Sequence, residues 1–124
     1  MSRIPLFPLP VVLFPGADLP LHIFEQRYRD MVADCLAGDR LFGLVHHDSD
    51  VQGPFLGEPG RVGTLARITQ HEPFEDGRSM ILVRGEHRIT IREEHDLQHL
   101  YYEGTVVPYL DQGLPGSSAL RRPR

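Results

Sequence analysis

The apolar residues of this 124-residue chain occur in short runs that eleven prolines and twelve glycines interrupt. Such a pattern favours short strands joined by turns. Because proline cannot donate to a sheet ladder, residues 4–10 are predicted to form an edge strand or an extended lead-in. Residues 11–14 are a short apolar piece that a Pro-Gly turn ends. Residues 19–23 carry three aliphatic side chains at every second position, which predicts a half-buried strand.

One segment has the periodicity of an amphipathic helix. Its apolar side chains follow the i, i+3, i+4, i+7, i+8 spacing that places them on one face, and they are Tyr28, Met31, Val32, Cys35 and Leu36. Glu25 suits the positive end of the helix dipole, and Gly38 supplies a C-terminal stop. We therefore predict one packed helix at about residues 25–37. Its opposite face, which includes Arg27 and Asp34, is expected to meet water.

The rest of the chain alternates strand patterns with turn signals. Further strands are predicted at residues 41–46, 62–69, 79–83, 88–92 and 101–109. Asp76-Gly77 is a hairpin signal between two of these strands, and Gly85 is a predicted bend or bulge between two others. Residues 47–60 are expected to be a long loop. Together these elements predict a mainly β (α+β) domain that closes into a barrel over residues 1–110, followed by an unpatterned, disordered tail at residues 111–124.

The charged residues exclude several classes of enzyme. All 13 basic residues are arginine, so the chain contains no P-loop lysine, no Schiff-base lysine and no Ser–Lys dyad. A net charge of −4 gives no general attraction to nucleic acid or to anionic lipid. The sequence contains no run of about 18 apolar residues, so no membrane span is predicted, and the start of the chain, which prolines interrupt, does not resemble a signal peptide. The single cysteine, Cys35, fits a reducing cytoplasm and is expected to be a buried, inert thiol.

The seven histidines raise the question of a metal site. Two of them, His46 and His47, are adjacent, and a strand would point them to opposite faces. Two others, His95 and His99, have the spacing of ligands on a helix, but their segment is too short and polar to be a secure helix. Residues 48–53 imitate the start of a calcium loop, but a proline occupies the position that requires a bidentate glutamate. We therefore expect loop histidines exposed to solvent, and neither a metal nor a cofactor.

Two groups of residues suggest binding. Three arginines of one parity could form a basic stripe for RNA phosphates, although neighbouring glutamates favour a solvated face of mixed charge; they are Arg84, Arg88 and Arg92. Three apolar side chains fall in segments that are expected to be exposed, namely Phe55, Leu56 and Phe74. Each either packs back under its loop or offers an anchor to an extended partner chain, and the sequence leaves both possibilities open.

Five phrases of the sequence resemble, in order, the N-terminal substrate-binding domain of Lon proteases. They are LFPL at residues 6–9, VLFPG at residues 12–16, LPLHIFEQRYR at residues 19–29, VGTLARI at residues 62–68 and DGRSMILVRGEHRI at residues 76–89. The resemblance covers about residues 4–110. It implies a PUA-like β-pseudobarrel with the helix packed on it.

The same resemblance implies a function. It predicts a non-catalytic module that binds unfolded or extended polypeptide, or a protein partner, and that lacks the ATPase and protease domains of full Lon proteases. The candidate contact residues are His22, Phe24, Phe55, Leu56 and Phe74. An RNA-binding PUA-like domain and a scaffold for a specific folded partner remain alternatives, and nucleic acid is the less favoured partner. The family domain generally continues into helices after its last strand. The short tail is therefore expected to mark either a naturally minimal or truncated member, or a domain with uncovered apolar surface that promotes self-association or requires a partner.

Overall fold

The computed structural model describes residues 2–55, 58–95 and 101–110. The elements in chain order are β1 (Ser2–Leu9), β2 (Asp18–Ile23), α1 (Gln26–Ala37), β3 (Leu41–His46), α2 (Ser49–Gln52), β4 (Val62–Pro73), β5 (Ser79–His95) and β6 (Tyr102–Pro108). The mainly β class and the single long helix are confirmed. The one addition is the short α2, which replaces part of the predicted loop. No helix within the described residues is long and apolar enough to cross a membrane.

The six strands form one sheet that closes on itself. The strand order is β2-β5-β4-β3-β1-β6, and β5 also pairs with β6. The last five strands of this order therefore form a ring, and β2 extends the sheet from the first half of β5. This ring is the pseudobarrel that the resemblance predicts. Closure pairs the edges that an open sheet of this size would expose.

Alternate side chains of the ring strands belong to two apolar cores. The core inside the ring consists of Ile4, Leu6, Val45, Phe55, Ile89, Ile91 and Val106. The core between the ring and α1 includes Phe7, Phe42, Leu44, Ile68, Ile81 and Val83 on the strands and Tyr28, Met31, Val32 and Cys35 on the helix. Because β3 has a core on each side, it is apolar along nearly its whole length.

The prediction of an edge strand at residues 4–10 is wrong. β1 lies between β3 and β6, although it contains Pro5 and Pro8. The two ladders cover different halves of the strand: Ser2–Leu6 pairs with β6, and Leu6–Leu9 pairs with β3. Each proline therefore takes part in only one ladder, so the missing N–H groups do not exclude a central position.

The two strands predicted on either side of Gly85 are one continuous strand, and the predicted bulge is confirmed. Thr64 of β4 pairs with Arg88, whereas Ala66 pairs with Gly85, so β5 has one residue more than β4 in this interval. The extra residue reverses the faces of the strand. Val83 packs under α1, and Ile89, an even number of residues later, packs inside the ring. The bulge thus lets one long strand serve both cores.

The helix and the hairpin follow their sequence signals. Of the five predicted residues, Tyr28, Met31, Val32 and Cys35 are buried and Leu36 is half-buried. The N–H of Gly38 closes the helix on the Cys35 carbonyl. Between β4 and β5, Gly77 has a φ of +91°, a conformation that glycine adopts without strain. These two devices fix where α1 ends and where β5 turns back along β4.

Candidate functional site

Three of the predicted contact residues form an exposed aromatic cluster. Phe24 immediately follows β2, His22 lies on β2, and Phe74 follows β4 at the start of the hairpin turn. The His22 ring lies 5.5 Å from the Phe24 ring and 6.2 Å from the Phe74 ring, measured between centroids. Phe24 is 56% exposed and Phe74 is 39% exposed. The three come together because β2 and the end of β4 flank the same segment of β5.

Phe55 does not belong to this exposed surface. It is only 4% exposed and packs in the core inside the ring. Its ring meets the ring of Tyr102 edge-on at 5.0 Å and that of His47 at 5.3 Å, and the Arg61 guanidinium lies over it at 5.0 Å. The expectation of an exposed anchor at this position is therefore wrong, and the alternative, packing under the loop, is confirmed. Leu56 lies outside the described residues.

A groove of about 580 Å³ opens beside Phe24. One side is formed by the end of β1 and the following prolines, another by the β2–α1 junction, and a third by the segment that carries α2. Five aromatic residues line it, namely Phe7, Phe24, Tyr28, Phe55 and Tyr102. Because Phe24 belongs to both features, the groove and the aromatic cluster form one continuous surface.

Arg27 is the one arginine that lines the groove in the described part of the chain. Its guanidinium lies 5.7 Å from the centre of the Tyr102 ring and 6.0 Å from that of Tyr28, and it donates a hydrogen bond of 3.5 Å to the Tyr102 hydroxyl. Burial raises the pKa of Tyr28 to about 12, although the neighbouring cation opposes the shift. The tyrosine is therefore neutral at physiological pH and presents an apolar ring with a hydroxyl group.

His47 is buried in the wall of the groove, contrary to the expectation of a solvent-exposed loop histidine. It is 4% exposed, whereas His46, the last residue of β3, is exposed on the opposite side. Its Nε2 lies 2.8 Å from the carbonyl oxygen of Gly53. Since a carbonyl oxygen only accepts, Nε2 is the donor and carries the hydrogen. The buried Nδ1 has no hydrogen-bond partner among the residues that the structure describes.

The basic stripe that the RNA-binding alternative requires is not continuous. Because of the bulge, Arg84 and Arg88 lie on opposite faces of β5. The Arg84 guanidinium also forms an ion pair with Asp18 at 3.2 Å. The arrangement that could have followed an RNA backbone is therefore interrupted, and the structure adds no support for the RNA-binding alternative.

The predicted burial of Cys35 is confirmed, and this placement argues against a nucleophile. The side chain is 4% exposed, and its Sγ donates a weak hydrogen bond of 3.5 Å to the Leu41 carbonyl. Burial raises the pKa of this thiol to about 12, so the reactive thiolate is scarce at neutral pH. The described residues contain no group of three or more metal-ligating side chains. The predicted pair His95 and His99 cannot be tested, because the side chain of the first and the whole of the second lie outside the described part.

Sequence reasoning misses three groove residues. It places Arg27 only on the solvent face of α1, His47 in an exposed loop and Tyr102 in a strand, whereas all three line the groove. No local pattern marks them, because their shared surface arises where β1, α1 and β6 meet. The one signal in the sequence that points to this corner is the pair of adjacent tyrosines, Tyr101 and Tyr102.

Comparisons with known proteins agree on one family. The sequence model of the "ATP-dependent protease La (LON) substrate-binding domain" matches residues 3–121. Lon protease of Cytophaga hutchinsonii is 32% identical over 95 residues, which are 75% of this chain and 12% of that protein. The LON peptidase N-terminal domain and RING finger protein C14F5.10c of Schizosaccharomyces pombe is 30% identical over 102 residues, or 73% of this chain and 21% of that protein. The chain thus spans about an eighth of the length of that Lon protease.

Solved structures show the same fold. The crystal structure of a Lon N-terminal domain protein from Xanthomonas campestris superposes with a TM-score of 0.69 and 31% identity, covering 96% of this chain and 69% of that one. The N-terminal domain of Mycobacterium avium complex Lon protease gives a TM-score of 0.67 at 18% identity, with 89% and 56% coverage, and this likeness concerns the fold alone. Sequence and structure thus lead to one conclusion: the chain belongs to the Lon protease substrate-binding domain family.

Proposed function

We propose that this domain binds extended polypeptide segments through the groove and the aromatic cluster, and that it catalyses no reaction on them. Membership of a substrate-binding domain family supports a binding role in general. The observation that carries the specific proposal is the position of Phe24. This large apolar side chain is 56% exposed at the mouth of an aromatic groove, where an incoming side chain would cover it.

The gain from covering Phe24 is large enough to measure. Complete burial of a phenylalanine side chain stabilises a complex by about 1.5–3 kcal/mol, so covering the exposed half contributes about 1–1.5 kcal/mol. That corresponds to a change of about five- to tenfold in Kd. His22 and Phe74, as its ring neighbours, extend the apolar surface along the line of β2.

Strand addition at β2 is the weaker part of this surface. Among the described strands, β2 lies at the end of the sheet order. The N–H of Gly85 donates to the Ala17 carbonyl. Because backbone groups alternate in direction along an antiparallel ladder, those of Leu19 point towards β5, and those of Pro20 point away from it towards the free edge. An added strand would therefore lose a ladder hydrogen bond at the middle of β2. We assign most of the affinity to the groove.

A matched pair of variants tests the proposal. Phe24→Ser removes the ring at the groove, and Phe14→Ser removes an equally exposed ring, at 59%, that does not line the groove. Binding of a fluorescein-labelled, uncharged and unstructured peptide rich in Leu, Tyr and Ser is followed by fluorescence anisotropy. We expect saturable binding that Phe24→Ser weakens about five- to tenfold and that Phe14→Ser leaves unchanged.

Two results would contradict the proposal. One is the absence of binding to the unmodified domain at high micromolar concentrations of protein. The other is an equal effect of the two variants, which would indicate nonspecific adhesion to exposed phenylalanines. A cytoplasmic location and self-association remain predictions, and size-exclusion chromatography of the purified domain at several concentrations is the direct test of the second.

A further inference from the structure

Acidic side chains dominate the charge of the groove. Among the residues that the structure describes, Glu25, Asp48 and Asp50 line it, together with Arg27 as the one arginine. None of the three carboxylates takes part in an ion pair among the residues that the structure describes. The guanidinium, by contrast, is engaged with Tyr102 and Tyr28 on the α1 side of the groove. The side formed by α2 and its preceding loop thus has an uncompensated negative charge.

The same side of the groove contains an unused hydrogen-bond acceptor. His47 precedes Asp48, and its Nε2–H is committed to the Gly53 carbonyl. When the ring carries only this proton, Nδ1 has a lone pair, and this atom is buried and has no partner among the described residues. A buried acceptor without a donor destabilises the unliganded state. A ligand that brings an N–H group to this wall would remove that penalty.

We infer that the groove selects polypeptide segments in which a basic side chain, arginine or lysine, lies next to an aromatic or aliphatic one. This inference rests on the proposed function and names its substrate class. The apolar side chain contacts Phe24, and the neighbouring cation lies among Asp48, Asp50 and Glu25. Its N–H groups are the donors that the His47 wall lacks. An acidic segment meets like charge at the same place and is rejected.

Three peptides that differ only in charge test the selection. The three peptides are unstructured, fluorescein-labelled and of equal length. They differ only at the two positions that flank a tyrosine, which are both Arg in the first peptide, both Gln in the second and both Glu in the third. In low-salt buffer we expect the Arg peptide to bind about tenfold more tightly than the Gln peptide, and the Glu peptide to bind more weakly than both. Added salt should reduce the difference between them, because screening weakens exposed charge interactions.

Charge-neutralising variants locate the effect. Asp48→Asn combined with Asp50→Asn removes two carboxylates, while the amide introduced at position 48 retains an oxygen that can accept the N–H of residue 50 as Asp48 does. The control, Glu72→Gln with Glu93→Gln, changes the net charge equally at exposed positions outside the groove. We expect the first pair to reduce the preference for the Arg peptide at least threefold and the control pair to leave it unchanged.

A variant of the histidine separates its contribution. His47→Gln retains an amide donor for the Gly53 carbonyl, but its one acceptor, Oε1, lies at the end of the side chain and not at the position of Nδ1. We expect it to weaken binding of the Arg peptide by about threefold or more while binding of the Gln peptide changes little. Thermal unfolding, measured in parallel, shows whether the variant is folded. If it is not, the carboxylate variants alone decide.

The outcomes distinguish this inference from the proposed function. Equal affinities for the three peptides, with Phe24→Ser still harmful, would overturn the basic selectivity and leave polypeptide binding intact. Tighter binding of the Glu peptide would likewise overturn it and would point to Arg27 as the dominant charge. Loss of selectivity in both the groove pair and the control pair would show that only net charge matters, which also contradicts the inference. Failure of every peptide to bind would refute both proposals.

Discussion

Substitution of Gly85 by alanine should destabilise the domain strongly, because the β5 bulge has no room for a side chain. A Cβ atom at this position would overlap the carbonyl oxygen of Phe14 and lie only 3.0 Å from its carbonyl carbon and 3.2 Å from the Cα of Pro15. All three are backbone atoms, so no side-chain rotation relieves the overlap. The 11–17 segment is also hydrogen-bonded to this glycine through Gly16 N–H and Ala17 C=O. Any shift that relieves the clash therefore strains both bonds.

The magnitude follows from these two effects. Overpacking a close-packed site costs about 1–3 kcal/mol, and weakening two backbone hydrogen bonds adds about 0.5–1.5 kcal/mol each at most. We expect a loss of about 2–4 kcal/mol in the free energy of unfolding, measured by urea denaturation. For a domain of this length, that corresponds to a decrease in Tm of about 10 °C.

Gly16→Ala is the matched control from the same contact. Gly16 has a φ of +84° but nothing within 4 Å of an added Cβ atom, so alanine there introduces backbone strain without a clash. Such strain costs about 1–2 kcal/mol. Gly85→Ala should therefore be the more harmful of the two. If Gly85→Ala is within about 0.5 kcal/mol of the unmodified domain, or milder than Gly16→Ala, the close approach of the two backbones does not hold the fold together as argued.

Three further predictions concern buried groups. Phe55→Asp should abolish cooperative unfolding or lower the free energy of unfolding by at least about 4 kcal/mol, because it places a carboxylate in the core inside the ring. A binding defect without loss of stability in circular dichroism melts would contradict this burial. Tyr101→Phe should lower the free energy of unfolding, measured by urea denaturation, by about 1–2 kcal/mol, because the hydroxyl donates a 2.5 Å hydrogen bond to the Asp34 carboxylate and so connects the start of β6 to α1. An unchanged denaturation midpoint would contradict a stabilising role of this hydrogen bond. Burial raises the pKa of Cys35 from 9.0 to about 12, so above pH 9 the unfolded chain binds fewer protons than the folded one, and the free energy of unfolding should fall by up to about 1 kcal/mol per pH unit. Cys35→Ala should flatten this fall between pH 9 and 10. A pH profile identical to that of the unmodified domain would refute the assignment.

The candidate site is predictable only in part. The phrase at residues 19–29 directs attention to His22 and Phe24, and both lie in one exposed cluster with Phe74. The sequence leaves open whether Phe55 joins the same surface or packs under its loop, and the structure shows that it is buried. Local composition indicates the average solvent exposure of a segment. It does not show which of its side chains is buried inside a ring that is closed by strands distant in sequence.

The groove could not be predicted from any single segment. Arg27 and Tyr102 are 75 residues apart in sequence and meet through a hydrogen bond and a stacked guanidinium. His47 becomes a buried groove wall because its loop folds back over Phe55. Such neighbours depend on the register of β1 against both β3 and β6, and a register of this kind leaves no signal in the residues on either side.

What the amino-acid order determined by itself is the set of local elements. The buried stripe of α1 follows from helical periodicity, and the turn at Gly77 follows from a positive φ that glycine adopts without strain. The bulge at Gly85 is indicated by a lone glycine between two strand patterns. Tertiary structure alone decided that the proline-containing β1 is central, that the arginines of β5 separate to two faces, and that an acidic aromatic groove forms. These features depend on pairing between strands that are far apart in the chain, and such pairs stabilise the protein only when the ring closes.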